Sequence, residues 1–122
     1  MKGTLIRQGL FAILAIVGLV WTQYHLIAFL EWNAGEASLA TLLKFDWVAF
    51  FSSGFVNPGA AFLTVDAIIG GTAFLCWMIP EARKLGIRHW WIYILLTLGV
   101  AFAVGFPFFL LMRERKLQQA AS

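Results

Sequence analysis

From Asn57 to Ile79 the chain is apolar apart from a few small polar residues, and it carries a single carboxylate, Asp66, well inside the run. No other stretch restricts the possible folds as much. Asn57 can accept a hydrogen bond as an N-cap, and Pro58 suits the first helical position, where a missing N–H costs nothing, so a helix with a sharp start is predicted. At about 1.5 Å per residue Asp66 falls roughly 12 Å along that helix, short of the middle of a hydrocarbon layer about 30 Å thick. A carboxylate at such a depth costs on the order of 2.5–3.5 kcal/mol, so it is expected to face protein or water and not lipid.

The rest of the composition agrees with a membrane setting. Of 122 residues, 61% are hydrophobic and 12% charged, and the mean hydropathy is +0.84, values outside the range of soluble domains. One domain covering residues 1–122 is expected. The net charge of +3 comes from nine Lys and Arg against six Asp and Glu, scattered in short clusters. Such clusters suit anionic lipid at helix ends and argue against nucleic acid as a partner. Cys76 is the only cysteine and cannot form an internal disulfide.

Read in order, a basic start with Lys2 and Arg7 leads into an uncharged run, predicted to span at about residues 8–30. A cleaved signal peptide is the rival reading, weakened by the length of the run and by Trp21 and Tyr24. Thr22, Gln23, Tyr24 and His25 form a polar cluster near its end, either an interfacial anchor or a face turned into a bundle. Residues 37–52 are rich in Leu, Phe and Trp but hold Lys44 and Asp46, and an interfacial amphipathic helix is preferred there over a further span. The second span is predicted at about 57–79, stopped by Pro80 and followed by the basic turn of Arg83, Lys84 and Arg88. Trp77, Trp90 and Trp91 flank that turn where an aromatic belt belongs. A third span is predicted at about 89–112, with Ala101 and Gly105 as a close-packing face for another helix and Pro107 as a bend.

The expected fold is therefore all-α, an integral membrane bundle of three transmembrane helices plus an interfacial helix; four transmembrane helices are the alternative. Three spans with the basic turn inside place the N-terminus inside and the C-terminus outside. The basic tail of Arg113, Arg115 and Lys116 fits better with four. A multi-pass protein of the bacterial inner (plasma) membrane is expected.

Certain residues resemble a known family. Asn57-Pro58-Gly59-Ala60-Ala61-Phe62 followed by Asp66, then Arg83-Lys84-Leu85-Gly86 and Trp90, then Gly105-Phe106-Pro107-Phe108-Phe109-Leu110 and Arg113-Glu114, are similar to a domain-of-unknown-function family of small bacterial membrane proteins. The resemblance covers roughly the C-terminal two thirds of the chain. Phe108 and Leu111 depart from the Leu and Tyr expected in the last motif. A shared fold and a shared site around Asp66 are implied, and no reaction.

The residues themselves assemble no familiar chemistry. His25 and His89 lie in different predicted spans, no paired His or Cys motif occurs, and the glycines form no phosphate loop. No metal, cofactor or enzymatic activity is expected. Asp66, His25, Arg113 and Asn57 are the candidate intramembrane polar site, with Asp66 expected to pair with His25 or Arg113. Three functions stay open: a structural or accessory subunit of a membrane assembly, a proton-linked or small-solute transport element using Asp66, and a lipid, pigment or quinone binding protein. The expected partners are the bilayer and either other membrane subunits or further copies of this chain.

Overall fold

The computed structural model describes residues 2–121, and among these there are helices and no strand. α1 (Lys2–Ala34) and α4 (Pro58–Lys84) are the two helices long and apolar enough to cross a membrane. At about 1.5 Å per residue they measure roughly 50 and 40 Å, more than a hydrocarbon layer of about 30 Å requires. α1 ends at Gly35, whose φ of 84° is a left-handed conformation, and whose N–H bonds the Glu31 carbonyl at 3.0 Å.

The amphipathic stretch predicted over 37–52 is two short helices, α2 (Leu39–Leu43) and α3 (Trp47–Ser53). Ser38 caps the first through a reciprocal bond with Thr41, and Asp46 caps the second by accepting from the Ala49 N–H at 2.9 Å. The two charges that disfavoured a span thus occupy the break between helices, where Asp46 neutralises an orphan N–H. Phe29 of α1 packs against Phe45 and Phe50, which holds this segment to the end of α1.

α4 begins where its cap residues predict: Asn57 Oδ1 accepts from the Ala60 N–H at 2.8 Å, with Pro58 in the first turn. Its end differs from the expectation. Pro80 does not stop the helix, which runs on to Lys84 and closes with a 2.9 Å bond from the Ile87 N–H to the Ala82 carbonyl around Gly86, at φ 71°. Ile87 is buried by this closure beside Ala82, so packing anchors the last turn in spite of the bond that proline removes.

The third predicted span, 89–112, is not one helix. α5 (Trp91–Leu95) passes into a π-helical segment (Leu96–Val100), the backbone is extended at Ala101 with φ −175° and ψ 147°, and α6 (Phe102–Ala121) follows. Contacts on either side show that the chain reverses here. Tyr93 lies 5.3 Å from Phe109 and 5.6 Å from Phe108, ring to ring, and Thr97 sits against Gly105. A continuous helix would separate Tyr93 from Phe109 by about 24 Å. α5, the π segment and α6 therefore form a helical hairpin with its tip at Ala101.

The hairpin sets the topology. α6 runs antiparallel to α1, with Arg7 at Glu114 and Gly18 at Ala103. It runs parallel to α4, with Gly71 at Phe102, Phe74 at Phe106, Trp77 at Phe109 and Glu81 at Arg113. α6 lies between the two long helices, which scarcely touch each other. The core, formed by Phe74, Met78, Ala82, Ile87, Tyr93 and Phe109, sits where α4 meets the hairpin, and Met78 and Phe109 are fully buried.

Candidate functional site

The two ends of this bundle have opposite character. The start of α1, the end of α4 with its turn, and the end of α6 share one end, which gathers Lys2, Arg7, Arg83, Lys84, Arg88, Arg113, Arg115 and Lys116 with Glu81 and Glu114. Lys44 is the one remaining cation, and it shares the other half of the molecule with Glu31, Glu36, Asp46 and Asp66. The expectation that the C-terminal tail lies opposite the N-terminus is corrected by the reversal at Ala101.

Two ion pairs tie the helices together at the basic end. Arg7 donates to Glu114 through Nε at 3.1 Å and through a terminal guanidinium nitrogen at 3.2 Å, and Gln8 donates to Gln118 at 2.7 Å beside it. Arg113 Nε donates to Glu81 at 3.0 Å, and its guanidinium lies 5.5 Å over the Trp77 ring. Glu114 is buried, and the forked pair from Arg7 supplies what its carboxylate needs.

The expected partnership of Asp66 with His25 or Arg113 is therefore not formed. Arg113 reaches Glu81, about 22 Å along α4 from Asp66, because α6 is parallel to α4 and not antiparallel to it. His25 is exposed on α1 with Tyr24 edge-on at 5.3 Å. Asp66 is exposed and, among the described residues, has neither hydrogen-bond nor ion-pair partner. Asn57 serves as the cap of α4.

The small residues act differently from the expectation. Gly105 is buried, and any side chain there would strike the Thr97 hydroxyl and come within 3.0 Å of the Thr97 nitrogen, so Gly105 closes the hairpin on itself and does not admit another long helix. Ala101 is the turn. The close approach between helices is made instead by Gly18: a Cβ there would stand 2.5 Å from the Ala103 carbonyl oxygen and 3.0 Å from its carbon. Pro107 lacks the N–H that would bond the Ala103 carbonyl, four residues before it. The spacing of Pro107 after Ala103 was the available signal, but nothing in α1 marks Gly18 rather than Gly9 as its partner.

Beside this contact an apolar groove of about 370 Å³, lined by Phe11, Leu14, Val17, Phe106 and Leu110 among others, runs between α1 and α6. Its lining is apolar and supplies no polar anchor. Among the described residues no three of His, Cys, Asp and Glu come together as a metal site.

The tip itself is uncovered. Leu98, Gly99 and Val100 are exposed, and a Cβ on Gly99 would meet nothing within 4 Å. Val104 and Gly105 donate to the Ala101 carbonyl at 3.1 Å, which leaves the N–H groups of Phe102 and Ala103 ahead of the first bond of α6. One turn further in, the Thr97 hydroxyl is buried without a partner.

Register extends these levels to the long helices. Continuing α4 past Gly71, Asp66 stands about 4–5 Å beyond the tip; continuing α1 past Gly18, Thr22, Gln23 and His25 stand about 3–8 Å beyond it. Asp66 on α4 and Thr22, Gln23 and His25 on α1 thus share one level, just past the point where the hairpin turns.

No curated protein and no solved structure matches the chain. A family model does match, over residues 10–115, and with nearly the whole chain covered the protein belongs to the family described as protein of unknown function DUF2834.

Proposed function

We propose that this chain is a protein of the bacterial inner (plasma) membrane, crossing it with α1 and α4 and entering it partway with the hairpin, and that it acts as a small subunit of a larger membrane assembly. Charge supports the placement: with eight of nine Lys and Arg at one end, the cationic bias puts both termini and the Arg83–Arg88 turn in the cytoplasm. From Arg113 to Ala101 the hairpin rises about 18 Å, a little over half of a hydrocarbon layer of about 30 Å. The segment of α2 and α3 lies at the opposite interface.

The observation that carries the subunit reading is that the two spanning helices scarcely touch. α1 buries only Ala15 and Leu30, so among the described residues most of this helix is left for contact with lipid or another subunit. A second reading, a transport element for protons or small solutes, is favoured by the unpartnered Asp66 level with the hairpin tip.

Native mass measurement of the protein extracted in mild detergent or nanodiscs tests the first reading. A homo-oligomer or a defined complex is expected; a lone monomer across solubilisation conditions overturns it. In a Cys76→Ser background, Lys44→Cys should react with a membrane-impermeant thiol reagent from outside, and Lys84→Cys only from the cytoplasmic side.

A further inference from the structure

We propose that two copies of this chain pair face to face in the membrane, through the side of α6 left open between α1 and α4, and that the His25 imidazole of each copy donates to the Asp66 carboxylate of the other. The proposal deepens the subunit reading above and rests on it. Round α6 the neighbours stand in the order α1, α4, α5: Phe106 shares the groove with Leu14 and packs on Phe74, whereas Tyr93 meets Phe108 and Phe109 on the far side. At about 100° per residue, His25 falls within roughly 20° of Leu14 and Gly18 on α1. Asp66 lies about 80–140° round α4 from Phe74, Met78 and Gly71, and so points outward from the hairpin. It falls within roughly 20–40° of Trp77 and Gly70, which meet Phe109 and Phe102 from the edge of α4 away from α5. His25 and Asp66 therefore share the open side of the molecule, and both stay exposed although the segment of α2 and α3 packs on Phe29 and Thr64.

A second copy supplies what this face lacks. A carboxylate inside an apolar span calls for a partner, and His25, which has no hydrogen bond or ion pair among the described residues, stands within a few ångströms of the same depth. A two-fold axis along the membrane normal keeps every residue at its depth and exchanges the places of α1 and α4, so that α1 of each copy runs antiparallel along α4 of the other. The two edges match. Leu14, Gly18, Trp21 and His25 on α1, and Phe62, Asp66, Ile69 and Ala73 on α4, each follow the alternating steps of four and three of a helix-packing seam. Register sets His25 beside the partner's Asp66 and Trp21 beside the partner's Ile69. In the single chain Leu14, Trp21, Phe62 and Ile69 are all more than half exposed.

Cross-linking between two differently tagged forms, co-expressed in one membrane in the Cys76→Ser background, tests this. Trp21→Cys in one form and Ile69→Cys in the other should join under mild oxidation. Val20→Cys with Ile68→Cys, at nearly the same depths but about 100° round each helix, should not. In detergent the parent should sediment as a dimer, and Asp66→Ala or His25→Ala should each raise its dissociation constant about tenfold. Exchanging the two groups, His25→Asp with Asp66→His, should restore the dimer. In micelles dilute enough to hold monomers, Asp66→Ala should unfold as the parent does, which separates a lost dimer from a lost fold. Joining of the Val20 and Ile68 pair in place of the Trp21 and Ile69 pair overturns the interface. A dimer indifferent to both alanines, or not recovered by the exchange, overturns the pairing of His25 with Asp66. A complex with other proteins, or a larger oligomer without the Trp21 to Ile69 link, overturns the dimer and leaves the subunit reading standing; a lone monomer in every condition removes both.

Discussion

Gly18→Ala is the sharpest probe of how α1 is held. The added methyl would lie 2.5 Å from the Ala103 carbonyl oxygen, 3.0 Å from its carbon and 3.2 Å from its Cβ. Two of these are backbone atoms, so no rotamer change relieves the contact and the helices themselves must separate by the better part of an ångström. Overpacking of that kind costs about 1–3 kcal/mol. Alanine also gains helix propensity over glycine, up to about 1 kcal/mol, which would mask part of the effect. Gly9→Ala removes the ambiguity: it lies in the same helix, earns the same propensity, and its Cβ meets nothing within 4 Å. Unfolding followed by circular dichroism in mixed detergent micelles should therefore find Gly18→Ala less stable than Gly9→Ala by about 1–3 kcal/mol. Equal stabilities would show that α1 and α6 do not approach at Gly18, and with that contact would go the pairing of Pro107 with a carbonyl held close to α1.

Gly105→Ala should destabilise by a similar amount, about 1–3 kcal/mol, in the same unfolding measurement, because its methyl meets Thr97. Adding Thr97→Ala should recover part of the loss, since the hydroxyl goes while the Thr97 backbone stays at 3.0–3.1 Å; a neutral Gly105→Ala would mean that the hairpin arms do not meet there. Asp66→Ala should leave unfolding stability within about 0.5 kcal/mol of the parent, because Asp66 is exposed and makes no hydrogen bond or ion pair in the described fold. Glu81→Gln should cost about 1 kcal/mol, a modest figure because the Arg113 side chain is 28% exposed and solvent screens the pair. Destabilisation by Asp66→Ala instead would reveal a partner for it.

What the sequence determined by itself is what short-range physics decides. Asn57 and Pro58 announce the start of α4 because a cap and a fixed φ act within one turn. Lys44 and Asp46 count against a span because two charges in so short a run raise the cost of insertion, and that is visible in residue order alone. The apolar runs of α1 and α4 follow from composition alone, and the motifs around Asp66 and Arg113-Glu114 were enough to point to the family. The path of the last third of the chain was decided by tertiary structure. Residues 89–112 are long and apolar enough for a span, and nothing local distinguishes a helix bent at Pro107 from a hairpin turned at Ala101. The turn exists because Thr97 fits against a residue without a side chain at Gly105 and Tyr93 against Phe109, contacts that residue order does not display. The basic tail hinted at it, since only a reversal brings Arg113, Arg115 and Lys116 to the end that holds Lys2 and Arg7. Once α6 runs parallel to α4, Arg113 belongs to Glu81, and Asp66 is left without a partner at the level of an open tip. A charge pairs with whatever the fold brings within a few ångströms, and spacing along the chain cannot supply that distance.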